Sequence, residues 1–203
     1  MAVVRLSEKL EEKRAFIERV KAEAETDPRT CYQCGKCSAG CPISFTMDYQ
    51  PRQIMRMVQL GLKEMALGSS AIWLCATCST CTTRCPRGVK IAEVMDALRI
   101  MARREGYVSR EPNVVKFHDA FLGSIRDNGR CHELGMIKNY KFATGTWFKD
   151  IELGRKMFSA GKISLRAHKI QGAGAIRRMY EKVNRMHEKA HEHEQAHRME
   201  GSH

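Results

Sequence analysis

Two identical runs of cysteine and proline constrain this chain more than anything else in it. Cys31-x2-Cys34-x2-Cys37-x3-Cys41-Pro42 returns 44 residues later as Cys75-x2-Cys78-x2-Cys81-x3-Cys85-Pro86, using eight of the nine cysteines. Three evenly spaced thiolates on a short loop can wrap one face of an iron–sulfur cubane. The fourth lies beyond a turn and points toward the cube held by the other run. Proline after it removes a backbone donor and fixes φ, which stiffens the way out of the loop. The spacing therefore predicts two interdependent [4Fe–4S] clusters. One would be held by Cys31, Cys34, Cys37 and Cys85, the other by Cys75, Cys78, Cys81 and Cys41. A pair of zinc sites is the competing reading, but zinc usually takes two ligand pairs across a long spacer.

The rest of the chain must fold around these loops. Its 203 residues are 43% hydrophobic and 29% charged, enough to bury a modest core and too apolar for disorder. No run reaches the length of a membrane span, and Met1–Leu10 carries no signal-peptide core, so a cytoplasmic protein with reduced or metal-bound thiols is expected. The formal charge is +12, and the excess belongs almost wholly to residues 99–178. Such a stretch suits nucleic acid, an acidic membrane surface or an acidic protein. Met55, Met57, Met65, Met95 and Met101 fall on the segments flanking the cysteines and read as soft core filling around an inorganic group.

Periodicity points to an all-α fold, with no strand-length alternation anywhere. Leu6, Leu10, Ile17, Val20 and Ala24 share a face of an N-terminal helix that ends before Asp27-Pro28. Pro51 starts a helix with Ile54, Val58 and Leu60 on one side and Gly61 as its stop. Ile91, Val94, Leu98, Met101 and Ala102 mark another, closed by Gly106. Pro112 opens a fourth with Val114, Phe117, Phe121 and Ile125 inward, and Gly129 past its end. Recurrent glycines from Gly135 to Gly174 leave room only for short helices, and Arg177–Arg198 reads as one long polar helix. The expected organisation is a helical extension at 1–28, a dicluster domain at 29–106, a basic helical docking region at 107–175 and a polar helical tail at 176–203.

With helical pattern between the two runs, the chain resembles the α-helical ferredoxin modules, and among them the C subunit of heterodisulfide reductase. The likeness rests on both cysteine runs, Pro51-Arg52, Gln59-Leu60-Gly61, Trp73-Leu74-Cys75 and Cys85-Pro86-Arg87-Gly88-Val89, and extends more loosely to Gly129–Glu133 and Gly161-Lys162. The resemblance implies an electron relay that joins two partners, the flavin-bearing A subunit on one side and the thiol/disulfide-active B subunit on the other. It implies no small-molecule substrate of the chain's own. The sequence has no Cys-Cys pair, no plant-type Cys-x4-Cys-x2-Cys run and no GxGxxG, so it is expected to lack a catalytic site and to borrow its chemistry from partners.

Other features carry less. Cys131 reads as a small buried hydrophobe rather than a reactive thiol, and His132-Glu133 as a hydrogen-bonded structural pair. His187/His191 and His193/His197 stand at i,i+4 spacing, but interleaved glutamates make a solvated helix the simpler reading. A nucleic-acid-binding iron–sulfur protein is the alternative prompted by the basic stretch, though no helix-turn-helix or aromatic-interleaved signature accompanies it, and no nucleic-acid partner is expected.

Overall fold

The structure, a computed structural model, describes residues 9–107, 111–147, 149–162 and 168–200, with side chains as far as residue 186. Leu6 and Gly201–His203 therefore lie outside what it describes, as do the side chains of the paired tail histidines. Among the described residues there are helices and turns and no strand, as the periodicity predicts. The chain divides into two compact units, Met1–Pro112 and Asn113–His203.

The first unit is built on α1 (Leu10–Ala24), α2 (Lys36–Ala39), α3 (Pro51–Gln59), α4 (Lys63–Leu67), α5 (Ala71–Leu74), α6 (Thr80–Thr83) and α7 (Ile91–Arg104). Proline at the first position of α3 sacrifices only a donor that the helix start leaves unpaired, and the Gln53 side chain accepts from the Gln50 amide at 2.8 Å to close the cap. The 3.6-residue period then puts Ile54, Met55 and Val58 on one buried face. In α7 the same spacing buries Val94, Met95, Leu98 and Met101. Helix α7 is the spine of the unit: α1, α4, α5 and α6 all pack on it. Helix α1 contributes Phe16, Val20 and Ala24, so Phe16 rather than Leu10 fills the core, and Leu10 faces solvent. Of the flanking methionines Met55, Met57, Met95 and Met101 are buried, whereas Met65 is exposed.

Two devices hold the layers together. Gly61 follows α3 with φ of 65°, and a Cβ there would lie 2.9 Å from the Lys13 Cα, so α1 crosses α3 at backbone contact. At the end of α7 the Glu105 carboxylate lies between Arg19 of α1 (3.1 Å) and Lys63 of α4 (2.5 Å).

The second unit comprises α8 (Pro112–Asn128, whose first residue marks the boundary), α9 (Glu133–Thr144), α10 (Ile151–Ser159) and α11 (Ala173–Glu200). Ala120 and Ser124 are its buried residues among those described. Phe117 and Phe121, expected inward, are partly exposed and stack on each other, with Tyr140 edge-on to Phe117 at 5.9 Å. The apolar face exists as predicted and is only partly covered.

Candidate iron–sulfur site

Each cysteine run adopts the same backbone. In the first, Gln33 and Gly35 take left-handed φ values of 66° and 81°. In the second, Thr77 and Ser79, offset by 44, take 50° and 57°. Left-handed φ costs an L-residue roughly 1–2 kcal/mol, and three of these four positions are not glycine. Alternation of left- and right-handed residues turns successive amide N–H groups inward, which makes a nest for an anion. One helical turn follows in each run, α2 and α6, again offset by 44.

The amides in these nests point at sulfur. The Lys36 N–H beside it holds the Cys34 thiol below its ordinary value, and at the corresponding place the Thr80 hydroxyl and N–H do the same for Cys78. The Ser38 and Thr82 amides make the matching contacts to Cys37 and Cys81. There burial outweighs them: it pushes the Cys37 thiol up and Cys81 up to about 11. Burial likewise raises Cys75, against the Thr77 amide and the Arg99 guanidinium. Backbone amides aimed at the sulfurs of both runs suit a metal-thiolate group. No disulfide joins any of the nine cysteines.

The two runs face each other. Helix α2 packs on α6, and a Cβ at Gly40 would collide with the Arg84 side chain, which occupies the corresponding position in the other run. Cys41 lines a small, largely apolar cavity, partly open to solvent, together with Cys75, Cys78 and Cys81; its wall includes Ile43, Met47, Pro51, Thr80 and Met95. On the other side the Tyr32 hydroxyl hydrogen-bonds Cys34, which raises the phenol, and Tyr32 also feels the charge of Cys85. The Gln33 amide reaches Cys31 Sγ at 3.6 Å. Among the described residues no three His, Cys, Asp or Glu side chains converge on a single ion position. A cubane takes one thiolate per iron corner, so its ligands need not converge on one point. The donor set, nests and cavity fit [4Fe–4S] clusters.

Several residues to which sequence reasoning gave no structural role hold the runs in place. Asp48, in the loop after the first run, accepts from Ser69 Oγ (2.8 Å), Ser70 N–H (2.9 Å) and Ala71 N–H (2.9 Å), and so ties down the start of α5, which leads into Cys75. Ser38 Oγ accepts the Arg52 amide at 3.0 Å, and Thr82 Oγ accepts the Ala92 amide at 3.1 Å, anchoring α3 and α7 by the same bond. Gln59 Nε2 donates to the carbonyls of Pro28 (3.1 Å) and Cys31 (2.6 Å), and Arg99 donates to those of Ile72 (2.9 Å) and Cys75 (3.0 Å). The readable signal was the repeat itself, had it been followed past the cysteines.

The weaker candidates find structural places. Cys131 is half-buried with its sulfur 3.8 Å from Met136 Sδ. His132 caps α9, its Nδ1 accepting from the Gly135 N–H at 3.2 Å. Lys141 in the basic stretch donates to the carbonyls of Thr146 and Lys149.

Residues 28–89 match the 4Fe-4S dicluster domain family. The chain is 42% identical over 107 residues to the iron-sulfur C subunit of the CoB–CoM heterodisulfide reductase of Methanopyrus kandleri, covering 52% of this chain and 56% of that protein. It is 38% identical over 94 residues to the C subunit of the H2:CoB-CoM heterodisulfide, ferredoxin reductase of Methanothermobacter thermautotrophicus, covering 46% and 51%. To the second iron-sulfur C subunit of the Methanocaldococcus jannaschii CoB–CoM heterodisulfide reductase it is 46% identical over 78 residues, 38% of this chain and 41% of that one. The chain thus spans about half the length of the curated relatives it matches. No described helix is long and apolar enough to cross a membrane.

Proposed function

We propose that this chain, which carries a 4Fe-4S dicluster domain and resembles the C subunits of heterodisulfide reductases, is the electron-relay member of a complex of that type. Cys31, Cys34, Cys37 and Cys85 would hold one [4Fe–4S] cluster and Cys75, Cys78, Cys81 and Cys41 the other. Bound there, each cluster supplies storage and transfer of a single electron. The protein's part is to fix the two sites side by side: α2 against α6, with the two fourth cysteines exchanged between runs, keeps them at one distance. The amides of the nests stabilise the negative charge gained on reduction. The observation that carries this reading is Cys41 lining the same cavity as Cys75, Cys78 and Cys81.

Within such an assembly, electrons would pass between a flavin-bearing partner and a thiol/disulfide-active one. Region 107–175 would dock these partners. Along α9 and α10 no described residue is buried, yet Ile137, Phe142, Ile151, Leu153 and Phe158 stand exposed among the cations. A surface of that kind is expected to be covered in a complex.

The test is composition with reactivity. Anaerobically purified chain should contain about eight irons and eight acid-labile sulfides, show a broad absorbance that bleaches with a strong reductant, and turn over no disulfide alone. Two zincs per chain without labile sulfide, or sustained disulfide reduction by the pure chain, would overturn the proposal.

A further inference from the structure

The internal repeat runs beyond the cysteines, and one of its asymmetries has a functional consequence. Up to the fourth cysteine the halves are offset by 44 residues. From Pro51 and Ile91 onward the offset is 40, because the first half carries four extra residues around the turn at Ser44–Thr46. At that second offset every buried residue of α3 has a buried counterpart in α7: Pro51 with Ile91, Ile54 with Val94, Met55 with Met95, Met57 with Ala97 and Val58 with Leu98. The next residues in register are Gln59 and Arg99.

Their bonds correspond too. Gln59 clamps the carbonyls of Cys31 and of the residue three before it, Pro28. Arg99 clamps the carbonyls of Cys75 and of the residue three before it, Ile72. The geometry is shared and the charge is not. Arg56 donates to Gln59 Oε1 at 3.3 Å, but it is exposed and sits one bond further from the cysteine loop. The Arg99 side chain is only 16% exposed; its Asp96 partner, at 3.3 Å, is 48% exposed and screened by water.

We propose that Gln59 and Arg99 are equivalent positioning residues, and that the guanidinium at Arg99 raises the reduction potential of the cluster on the second cysteine run. This rests on the two-cluster reading above. A fixed cation held against the Cys75 loop stabilises the more negative, reduced state of whatever that loop binds, while the neutral amide of Gln59 orients the Cys31 loop without that gain. For unit charges about 10 Å apart at an effective dielectric near 20, Coulomb's law gives roughly a tenfold change in the reduced-to-oxidised ratio.

Arg99→Gln is the direct test, since Gln59 shows that glutamine can make this clamp. In the holoprotein, potentiometric titration followed by electron paramagnetic resonance should show the second-run cluster about tenfold less reduced at a fixed ambient potential, a fall of about 59 mV, with the first-run cluster unmoved. The second-run signal is identified as the one altered by Cys78→Ser. Asp96→Asn leaves the clamp intact and uncovers the cation, so it should move the same midpoint upward; Gln59→Arg should raise the first-run midpoint instead. Full iron and sulfide with neither midpoint moved, or both moved equally, would overturn the assignment to Arg99. Absence of two clusters from the wild-type chain would instead overturn the reading on which it stands.

Discussion

Replacing Asp48 by alanine removes three hydrogen bonds at one stroke, because its two carboxylate oxygens serve Ser69 Oγ, Ser70 N–H and Ala71 N–H. Ser69, Ser70 and Ala71 are all buried, so water does not readily replace the carboxylate. Ala71 N–H retains one alternative, Ser69 Oγ at 3.0 Å, which leaves two donors with a full loss. At about 1–1.5 kcal/mol for each, the cost is about 2–3 kcal/mol. Anaerobic denaturant unfolding should show a lower midpoint at constant slope. Because α5 leads directly into Cys75, an iron chelator should also strip the second-run cluster faster than the first-run one. Burial pushes the Asp48 carboxyl up, but the Ser70 amide, the Ser69 hydroxyl and the Ala71 amide outweigh it, so it titrates below its ordinary 3.8. The contribution is therefore complete above the ordinary carboxylate range and is lost as pH falls through the folded-state value. The wild-type advantage over Asp48→Ala should persist at neutral pH and shrink in strong acid. A change under about 0.5 kcal/mol at neutral pH would refute the claim that this carboxylate holds the approach to the second run.

Gly61→Ala should cost about 2 kcal/mol or more, because it combines left-handed φ with a Cβ driven into the backbone of α1 at Lys13; thermal unfolding that matches wild type would show that α1 can retreat freely. Glu105→Gln should cost about 1–2 kcal/mol by removing the carboxylate charge that lies between Arg19 and Lys63. Restoration by Lys63→Met in a double-mutant cycle would measure the coupling, and zero coupling would remove this ion pair from the account.

What could be read from the sequence divides along a physical line. The twin cysteine loops, Pro51 and the buried faces of α3 and α7 are local regularities, set by loop geometry and helical period, and all of them are legible. Leu10 and Phe16 are not separable by period alone, since which face of α1 is buried depends on what α7 offers it. Phe117 and Phe121 carry a correct apolar spacing, but spacing does not say whether a covering helix exists. The clamps escaped notice for another reason. Four residues inserted between Cys41 and Pro51 shift the register from 44 to 40, and a repeat sought at one offset stops at the prolines. Gln59 and Arg99 also differ in chemical type while making the same two bonds, so residue identity hides their equivalence. Asp48 gives no local hint at all, because its partners lie more than twenty residues ahead.

The exchange of the fourth cysteines between runs is the central claim, and single serine substitutions read by electron paramagnetic resonance test it most directly. Cys34→Ser and Cys78→Ser first identify which signal belongs to each run. The account predicts that Cys85→Ser perturbs the same signal as Cys34→Ser, and that Cys41→Ser perturbs the same signal as Cys78→Ser. Cys41→Ser acting on the signal marked by Cys34→Ser, with Cys85→Ser acting on the one marked by Cys78→Ser, would contradict it.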